Sequence, residues 1–451
     1  MHTTYDPLTA RSPGTGEPHR ASYWTATSGP APADDGAAPR IAETGVAIIG
    51  GGYTGLSCAW HLAKTYGIKP MVLEANRPGW GCSGRNGGFA RAAIGRHSYA
   101  RMIELWGRDT AISVFRESLA AVQNVRDMLR ECNIPDAGVE AGHLKIAHRA
   151  SRAAGLAAEA DLLQREFGYA AEFLDAGQVN HQHIGGPQSH GALRFPDALA
   201  VHPLKLAHAL LVLARTAGAT VHSASPVLAW SKSGSTHVLT TPQGNIHAKT
   251  VVFATNGYTP ERLHHCLQGT TLPLLSHIIV TRAMTSAEKT ASGFHTGHVL
   301  TDTRNLLYYW RRLPDDRILF GGRGLITDSA DGHAQQRDFL LAELRAKLPA
   351  LRDITIDYDW WGWVCLTADF LPHIHRAADD PSLHYAMGYQ GSGVACAPYA
   401  GKLLAAAIAG DGDLRPPYPV ATPLPQFPFA AWRRIGQRAM YGWYRWRDHR
   451  D

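Results

Sequence analysis

Three glycines and one acidic residue have the types and the spacing that bind a dinucleotide. Gly50, Gly52 and Gly55 follow a short apolar run that begins at Val46. Glu74 ends a second apolar run, nineteen positions after Gly55. In such a pattern the glycines allow a tight turn, a close approach to a pyrophosphate and close helix packing, and the acid accepts ribose hydroxyls. A strand-to-helix turn without a ligand is the plainer alternative, but both strands, the helix and the acid in register favour a dinucleotide site.

Two further glycine-rich segments have compositions suited to the same cofactor. The segment Pro78–Phe89 directly follows Glu74, and its many glycines exclude a regular element. We expect it to form a loop over the pyrophosphate and the ring end of the cofactor, the alternative being a long surface turn. The turn Gly391–Val394 leads into the alanine-rich helix Ala395–Ala409, whose N-terminus can face an anion. Because no strand and acid follow this turn, we expect it to contact an electron-rich ring. Gly401 costs that helix about 1 kcal/mol relative to alanine unless close packing requires it.

A third group of residues has the chemistry to orient a small polar ligand. The sequence from 272 to 323 alternates like a β-sheet and carries Tyr309, Arg311 and Arg323. These three are the candidate catalytic or substrate-orienting residues. The plainer alternative is a sheet with one packed aromatic face and arginines in solvent. No acid–base residue stands out.

The elements that must position these residues predict two domains. The chain is predicted to re-enter the nucleotide-binding domain through strands at 220–222, 226–228 and 250–255. We expect Val227 to lie near the adenine and Thr255 near the cofactor. Helical patterns cover 102–132, 151–168 and 197–215, and 142–147 alternates like a strand. The predicted divisions are a flexible N-terminal arm, 1–44; a dinucleotide-binding domain, 45–98, 199–260 and 361–412; a substrate domain, 99–198 and 261–360; and an aromatic-basic tail, 413–451.

Composition narrows the classes of function. A formal charge of +6 over 451 residues is mild, so no nucleic-acid partner is predicted. The six cysteines form no CxxC pair, which argues against a metal site and fits a reducing cytoplasm. No signal peptide is recognised, and no apolar run reaches the roughly 18–20 residues of an integral membrane segment. The tail mixes arginines with aromatics, so it can lie on a membrane or, as we favour, clamp to its own domain. The oligomeric state is left open.

Several motifs together resemble one family. They are Gly50–Leu56, Leu73–Ala75, Gly81–Gly88, His202–Leu204, Arg317–Gly322 and Gly388–Ala395. The chain resembles the D-amino-acid-oxidase-like FAD-dependent oxidoreductases over nearly its whole length, and among them the gamma-glutamylputrescine oxidase branch. The resemblance implies an α/β and α+β fold, in which a Rossmann-like FAD-binding domain of the GR2 type carries an inserted substrate domain of mixed β-sheet and helices.

The resemblance also implies a cofactor site. The FAD contacts carried over are Gly50, Gly52, Tyr53, Thr54, Gly55, Glu74, Ala75, Ser83, Arg85, Asn86, Gly87, Gly88, Val227, Thr255, Gly391, Ser392, Gly393 and Val394. Some relatives attach flavin to a cysteine; that position falls at Gly362, with Cys365 displaced from it, so non-covalent FAD is expected.

The implied reaction is oxidation of a CH–NH bond of an amine or amino acid, with hydride passing to flavin N5. The expected products are an imine or aldehyde, ammonia or an amine, and hydrogen peroxide, with molecular oxygen as the electron acceptor. Two alternatives stay open: a dehydrogenase that passes electrons to a quinone or a protein, and a flavin-binding subunit of a larger complex.

Overall fold

The computed structural model of the protein describes residues 5–134 and 142–450, so residues 1–4, 135–141 and 451 of the predicted divisions lie outside it. The helices are α1 (Tyr23–Thr27), α2 (Tyr53–Tyr66), α3 (Tyr99–Trp106), α4 (Arg108–Glu131), α5 (Ala153–Phe167), α6 (Ala176–Gln182), α7 (Pro203–Thr216), α8 (Ser286–Ser292), α9 (Ala330–Lys347), α10 (Gly393–Ala409) and α11 (Arg433–Arg450). The strands are β1 (Ile41–Ile49), β2 (Met71–Leu73), β3 (Phe89–Arg91), β4 (His143–Ile146), β5 (Glu172–Leu174), β6 (Ala192–Phe195), β7 (Ala198–Ala200), β8 (Thr220–His222), β9 (Ala229–Ser233), β10 (Thr236–Thr240), β11 (Asn245–Phe253), β12 (Leu272–Thr281), β13 (Val299–Asp302), β14 (Tyr309–Arg312), β15 (Ile318–Arg323), β16 (Ile356–Leu366), β17 (His373–Arg376) and β18 (Leu383–Met387).

The first sheet has the order β17-β18-β11-β1-β2-β8, with β10 and β9 attached beside β11. Its central pairs, from β18 through β11 and β1 to β2 and β8, are parallel. Their carboxyl-terminal residues are buried and mostly apolar, as strands covered on both faces require. The carboxyl ends of these strands therefore meet at one edge, which is where ligands bind in open α/β sheets.

Helices α2, α4, α7 and α10 cover one face of this sheet in a single apolar core. The closest of these contacts is the crossing of α10 over α2, at Gly401. A Cβ atom on Gly401 would lie 2.5 Å from the carbonyl oxygen of Thr54 and 2.7 Å from the amide nitrogen of Cys58. Close packing therefore requires glycine at this position, which explains why a residue unfavourable to helices stands inside α10.

The second sheet has the order β16-β12-β15-β14-β13-β4-β6-β5. All its pairs are antiparallel except β13 with β4, and α9 packs on it over a separate core. The predicted domain boundary at 361 falls inside β16, which pairs with β12 along its length and lies wholly in this sheet. Because β16 is continuous across the boundary, the residues up to Leu366 belong with the second sheet.

Three predicted elements differ locally. The helix expected over 102–132 is divided at Gly107, whose φ of +77° ends α3 and begins α4. The helix expected to open at Asp197 begins at Pro203 instead, because β7 pairs with β3 and the His202 side chain caps α7. Residues 226–228 belong to no strand, and β9 begins only at Ala229.

The described part of the N-terminal segment packs along the body instead of extending away as a flexible arm. Its last residues are already strand, since β1 begins at Ile41. The ring of Tyr5 stacks on Tyr258 with centroids 6.1 Å apart. The indole N–H of Trp24 donates to the carbonyl of Asn86 at 2.9 Å, inside the glycine-rich loop. The described part of this segment is therefore docked on the body, with Tyr23 and Trp24 buried.

The C-terminal helix α11 also packs on the body. Arg433 forms an ion pair with Glu261, and Arg434 with Asp6 at 2.7 Å. The Asp448 carboxylate accepts hydrogen bonds from the backbone N–H groups of Asn305 and Leu306, and from the Asn305 side chain. One face of α11 is therefore clamped to its own chain.

Candidate active site

The first glycine turn has the geometry of a dinucleotide cradle. Gly50 has a φ of +108°, and a Cβ atom there would lie 2.8 Å from the carbonyl oxygen of Ala254. At Gly55 a Cβ atom would lie 2.0 Å from the Gly50 carbonyl oxygen, so only glycine lets α2 start this close to β1. At Gly52 it would lie 2.8 Å from Ser83 Oγ. The backbone therefore carries no side chains at these three positions, where a pyrophosphate must approach closely.

Glu74 lies at the end of β2 and faces this turn. Its Oε2 accepts from the Gly51 N–H at 2.6 Å, and its Oε1 accepts from the Asn76 N–H at 3.0 Å. Burial raises the pKa of the carboxyl group, and the hydrogen bonds from Asn76 and Gly51 oppose that shift. A carboxylate can accept about four hydrogen bonds, so acceptor positions remain for ribose hydroxyls.

The glycine-rich loop is held in place by two side chains. Ser83 Oγ accepts from the Tyr53 N–H at 2.9 Å, at the start of α2. The Asn86 amide donates to the carbonyls of Cys82 and Ser83, and its oxygen accepts from the Gly88 N–H at 2.7 Å. Ser83 and Asn86 therefore shape the loop and present its backbone to the cavity beneath.

The second glycine turn ends at the start of α10. Ser392, the residue before the helix, gives it no side-chain cap, because its hydroxyl donates to the Tyr389 carbonyl at 2.7 Å. The first N–H groups of α10 are thus left for another acceptor. Gly391 has a φ of +106°, and a Cβ atom there would lie 3.0 Å from Arg323 Nη2. This corner also points a helix N-terminus at a space where negative charge can bind.

Both glycine turns line one cavity, which we call the first cavity. Of the residues predicted to contact FAD, those that line it are Gly50, Gly52, Tyr53, Thr54, Glu74, Ala75, Ser83, Asn86, Val227, Thr255, Gly391, Gly393 and Val394. The N-terminus of α2, the uncapped N-terminus of α10 and an acid beside the first turn match the pyrophosphate and ribose of a dinucleotide. The residues present therefore fit FAD. The two glycine turns lie at the same cavity, whereas two turns far apart could not both contact one flavin nucleotide.

Five predicted contacts lie elsewhere. Gly55 and Gly88 do not line the first cavity; a Cβ atom on Gly88 would lie 2.1 Å from the Val201 carbonyl oxygen, so both serve backbone packing. Gly87, Ser392 and Arg85 line a second cavity.

Arg85 is the clearest departure from the expected cofactor contacts. It is buried, with its guanidinium 4.0 Å above the ring of Trp80. Its Nη1 donates to the Trp361 carbonyl at 3.5 Å, at the edge of hydrogen-bond distance. The guanidinium thus packs on Trp80, and Arg85 lines the second cavity instead of the first.

Sequence reasoning missed part of the first cavity's wall. The missed residues include Arg11, Ser12, Pro13, Cys82, Tyr258, Val364, Cys365, Tyr389 and Gln390. Arg11–Pro13 come from the N-terminal segment, where Gly16 N–H donates to the Ala75 carbonyl at 2.8 Å. No local pattern marks those three residues, because their position depends on contacts with Ala75 and Asn76, which are distant in the sequence.

The second cavity adjoins the first. Six residues line both cavities, at the ring end expected for a flavin: Cys82, Asn86, Val364, Gln390, Gly391 and Val394. Tyr309 and Arg323 line the second cavity, as does Gly362. A ligand there would lie directly against whatever occupies the ring end of the first cavity.

Tyr309 and Arg323, two of the three candidate substrate-orienting residues, both line the second cavity. The Tyr309 hydroxyl hydrogen-bonds with Ser276 Oγ at 2.8 Å, and burial raises the pKa of Tyr309 to about 12, so it stays neutral. Arg323 Nη2 donates to the Gln390 carbonyl at 3.1 Å, beside the second glycine turn.

Arg311 lies outside both cavities. It is 2% exposed and donates from Nη2 to the Val201 carbonyl at 2.9 Å. Its guanidinium is 5.2 Å from the Trp24 ring centroid, and burial lowers its pKa to about 9. Since Phe89 lies between it and Tyr309, Arg311 supports the loop from behind and does not face the substrate.

The second cavity is rich in positive charge. Arg91 and Arg96 line it with Arg323, and burial lowers the pKa of Arg96 to about 10, with Arg323 adding to the shift. Arg96 Nη2 donates to the Asn305 carbonyl, whereas Lys145 is paired with Glu159 at 2.7 Å. The two carboxylates that line the cavity, Glu159 and Asp302, are paired with Lys145 and Lys347. Within the described residues, Arg91, Arg96 and Arg323 form no salt bridge, so their three guanidiniums surround a space that suits an anionic group.

The cysteines near the site are neutral thiols. Burial raises the pKa of Cys82 and that of Cys365 to about 12 in each case. Over residues 5–134 and 142–450, no group of three or more His, Cys, Asp or Glu side chains is placed to hold a metal ion. Within the same ranges, none of the helices combines the length and apolarity needed to cross a bilayer.

Comparison with known proteins decides the family. The family described as FAD dependent oxidoreductase, DAO, matches residues 45–407. The chain belongs to this family. Gamma-glutamylputrescine oxidoreductase of Escherichia coli strain K12 is 30% identical over 394 residues, which cover 86% of this chain and 88% of that protein. Glycine oxidase of Bacillus licheniformis is 24% identical over 375 residues, covering 81% of this chain and 92% of that protein.

Solved structures confirm the predicted fold. Glycine oxidase from Geobacillus kaustophilus superposes with a TM-score of 0.69 at 20% identity, covering 84% of this chain and 98% of that one. L-proline dehydrogenase from P. horikoshii superposes with a TM-score of 0.66 at 19% identity, covering 85% and 96%. The protein is thus an FAD-dependent oxidoreductase of the family that acts on amines or amino acids, with a Rossmann-like domain and a mixed-sheet substrate domain.

Proposed function

We propose that the protein is an oxidase for the CH–NH bond of an amine or amino acid that also carries a carboxylate, with a gamma-glutamyl amine as the first candidate. The observation that carries the proposal is the cationic second cavity, which shares six wall residues with the first cavity. When bound, FAD supplies a two-electron acceptor at that shared wall. The similarity to gamma-glutamylputrescine oxidoreductase supports the candidate, since a gamma-glutamyl group bears a free carboxylate.

The charges of the second cavity select the form of substrate that binds. Arg91, Arg96 and Arg323 disfavour a protonated amine and attract a carboxylate. Arg323 is beside Gly391, so a carboxylate on its guanidinium brings the neighbouring carbon to the shared wall. The neutral Tyr309 hydroxyl can donate to a substrate oxygen. These groups supply placement and a dry environment, and the proposal assigns no general base.

Negative charge that develops at the ring end is stabilised by backbone. The N-terminus of α10 begins at Gly393, which lines the first cavity, and no side chain caps it. Fixed N–H dipoles aimed at a position of developing charge lower the barrier without reorganising.

The proposal includes non-covalent FAD. No thiol is available at Gly362, and Cys82 and Cys365 are held as neutral thiols, which are poor nucleophiles. Acid denaturation of the yellow protein should release all the flavin into the supernatant. Flavin that stays with the precipitated chain would contradict this part of the proposal.

The test of function measures peroxide from the purified holoenzyme. Gamma-glutamylputrescine, free polyamines, N-methyl amines and D- and L-amino acids are compared at equal concentration. We expect peroxide with substrates that carry a carboxylate, and little with free polyamines. Reduction of an artificial dye without peroxide would favour a dehydrogenase with another electron acceptor, and preference for free polyamines would contradict the carboxylate.

The role of Arg323 is tested by Arg323→Gln. Losing a hydrogen bond to a charged group costs about 1.5–3 kcal/mol, so kcat/KM should fall about 10- to 150-fold. The matched control is Arg312→Gln on β14, because Arg312 pairs with Asp316 and does not line either cavity. An equal loss in both variants would point to stability and not to substrate binding.

A further inference from the structure

The helix α11 buries one face on the chain and exposes large apolar side chains on the opposite face. Gln437, Tyr441 and Asp448 are buried against the body. Ile435, Trp443 and Trp446 are 53%, 50% and 51% exposed. At about 100° per residue these three fall within roughly 80° of one another, on the side opposite the buried face. A large apolar surface therefore points directly away from the protein.

The residues around this outward face extend it. Trp432 and Phe429, just before α11, are 65% and 84% exposed. Between the large side chains, the outward positions hold Gly436, Ala439 and Gly442. Exposed apolar residues are normal when scattered singly, but a contiguous group marks an interaction surface.

Positive charge flanks the outward face on both sides. Arg438 and Arg445 are exposed along one edge, and Arg447 lies along the other with its guanidinium 5.0 Å from the Trp443 ring centroid. The only acid in α11 is Asp448, which is buried and satisfied by Asn305 and Leu306. The surface thus combines indole rings with arginines and presents no carboxylate from its own helix.

We propose that this face docks the protein on an anionic lipid bilayer. Indole rings settle at the level of lipid headgroups, and arginines pair with their phosphates. A helix with apolar and basic residues on its solvent side lies in the interface plane and does not span it. Charge complementarity favours lipid over a second copy of this chain, since two such arginine-flanked faces would repel each other.

Docking would place the bilayer beside the second cavity. Arg445 donates to the Gly324 carbonyl, next to Arg323, and Asn305, which Asp448 holds, accepts from Arg96. The helix α11 therefore rests on the segment that carries Arg323 and on the residue to which Arg96 donates.

The experiment is flotation of the holoenzyme with vesicles. Pure phosphatidylcholine vesicles are compared with vesicles of phosphatidylcholine and phosphatidylserine, each at low and high salt. We expect binding to the anionic vesicles that weakens as salt rises. Arg438→Gln should weaken it roughly fivefold, the change that about 1 kcal/mol per basic residue gives. Trp443→Ser with Trp446→Ser should weaken it about tenfold or more.

The matched control is Phe339→Ser on α9, because Phe339 is 45% exposed and distant from α11 in sequence. Flavin content and thermal unfolding identify variants that fail to fold. The salt dependence of vesicle binding by the unaltered protein tests the proposal without any variant. The proposal is overturned if the unaltered protein does not bind anionic vesicles, or if Phe339→Ser weakens binding as much as the tryptophan pair. It is equally overturned if the protein is a dimer that the tryptophan substitutions convert to monomer.

Discussion

Gly401→Ala should destabilise the protein, although alanine is the better helix former. The substitution gains about 1 kcal/mol of helix propensity. Its Cβ atom would lie 2.5 Å from the Thr54 carbonyl oxygen, 2.7 Å from the Cys58 amide nitrogen and 2.8 Å from Ser57 Cβ. Two of these atoms are backbone of α2, so α10 must move away from α2. Overpacking of this kind costs about 1–3 kcal/mol or more, which outweighs the propensity gain.

The matched control is Gly155→Ala in α5. A Cβ atom on Gly155 would have nothing within 4 Å, so only the propensity gain applies there. Thermal unfolding of the two holoenzymes should therefore shift in opposite directions, with a lower Tm for Gly401→Ala and an unchanged or higher Tm for Gly155→Ala.

The same substitution reports on the cofactor site. Thr54 lines the first cavity, so a displaced α2 should also lower the ratio of flavin absorbance to protein absorbance. A Gly401→Ala protein with unchanged or raised Tm would refute the close crossing of α10 and α2. A lower Tm with full flavin content would refute only the coupling of that crossing to the cavity.

Two further outcomes follow from buried titratable groups. Glu74→Gln should weaken FAD binding about 10- to 150-fold, because the ribose hydroxyls lose a charged acceptor. Fluorescence titration of the apoprotein with FAD measures this affinity, and an unchanged affinity would show that Glu74 does not bind the ribose. Burial lowers the pKa of His143, His148 and His384, the latter two to about 4. Their unfolded forms bind protons below about pH 6.5 while the folded forms do not, so the free energy of unfolding should fall as pH drops from 6.5 toward 4, by at most about 1.4 kcal/mol per pH unit for each group. A Tm that is constant over this range would contradict their neutral burial.

Local sequence was enough to predict the cofactor end of the site. Gly50, Gly52 and Glu74 form a short-range pattern whose spacing is imposed by one βαβ unit, and the structure places all three around the first cavity. The turn at Gly391 was also predictable, because glycines before an apolar helix leave few alternatives.

The substrate end depended on tertiary placement. Tyr309 and Arg311 are two apart on β14 and share a face, yet only Tyr309 reaches the second cavity. Arg311 is diverted by Trp24 and Phe89, which come from distant segments. The sequence did not predict that Arg91 and Arg96 line the second cavity. Single arginines outside a motif do not indicate a binding site until the fold brings them together.

The wall of the first cavity contains both Arg11 and Ala397. Segments from nearly opposite ends of this sequence must therefore come together before the binding surface is complete. A chain cut before α10 would lack Gly393, Val394 and Ala397, so it could not form the whole wall of this cavity.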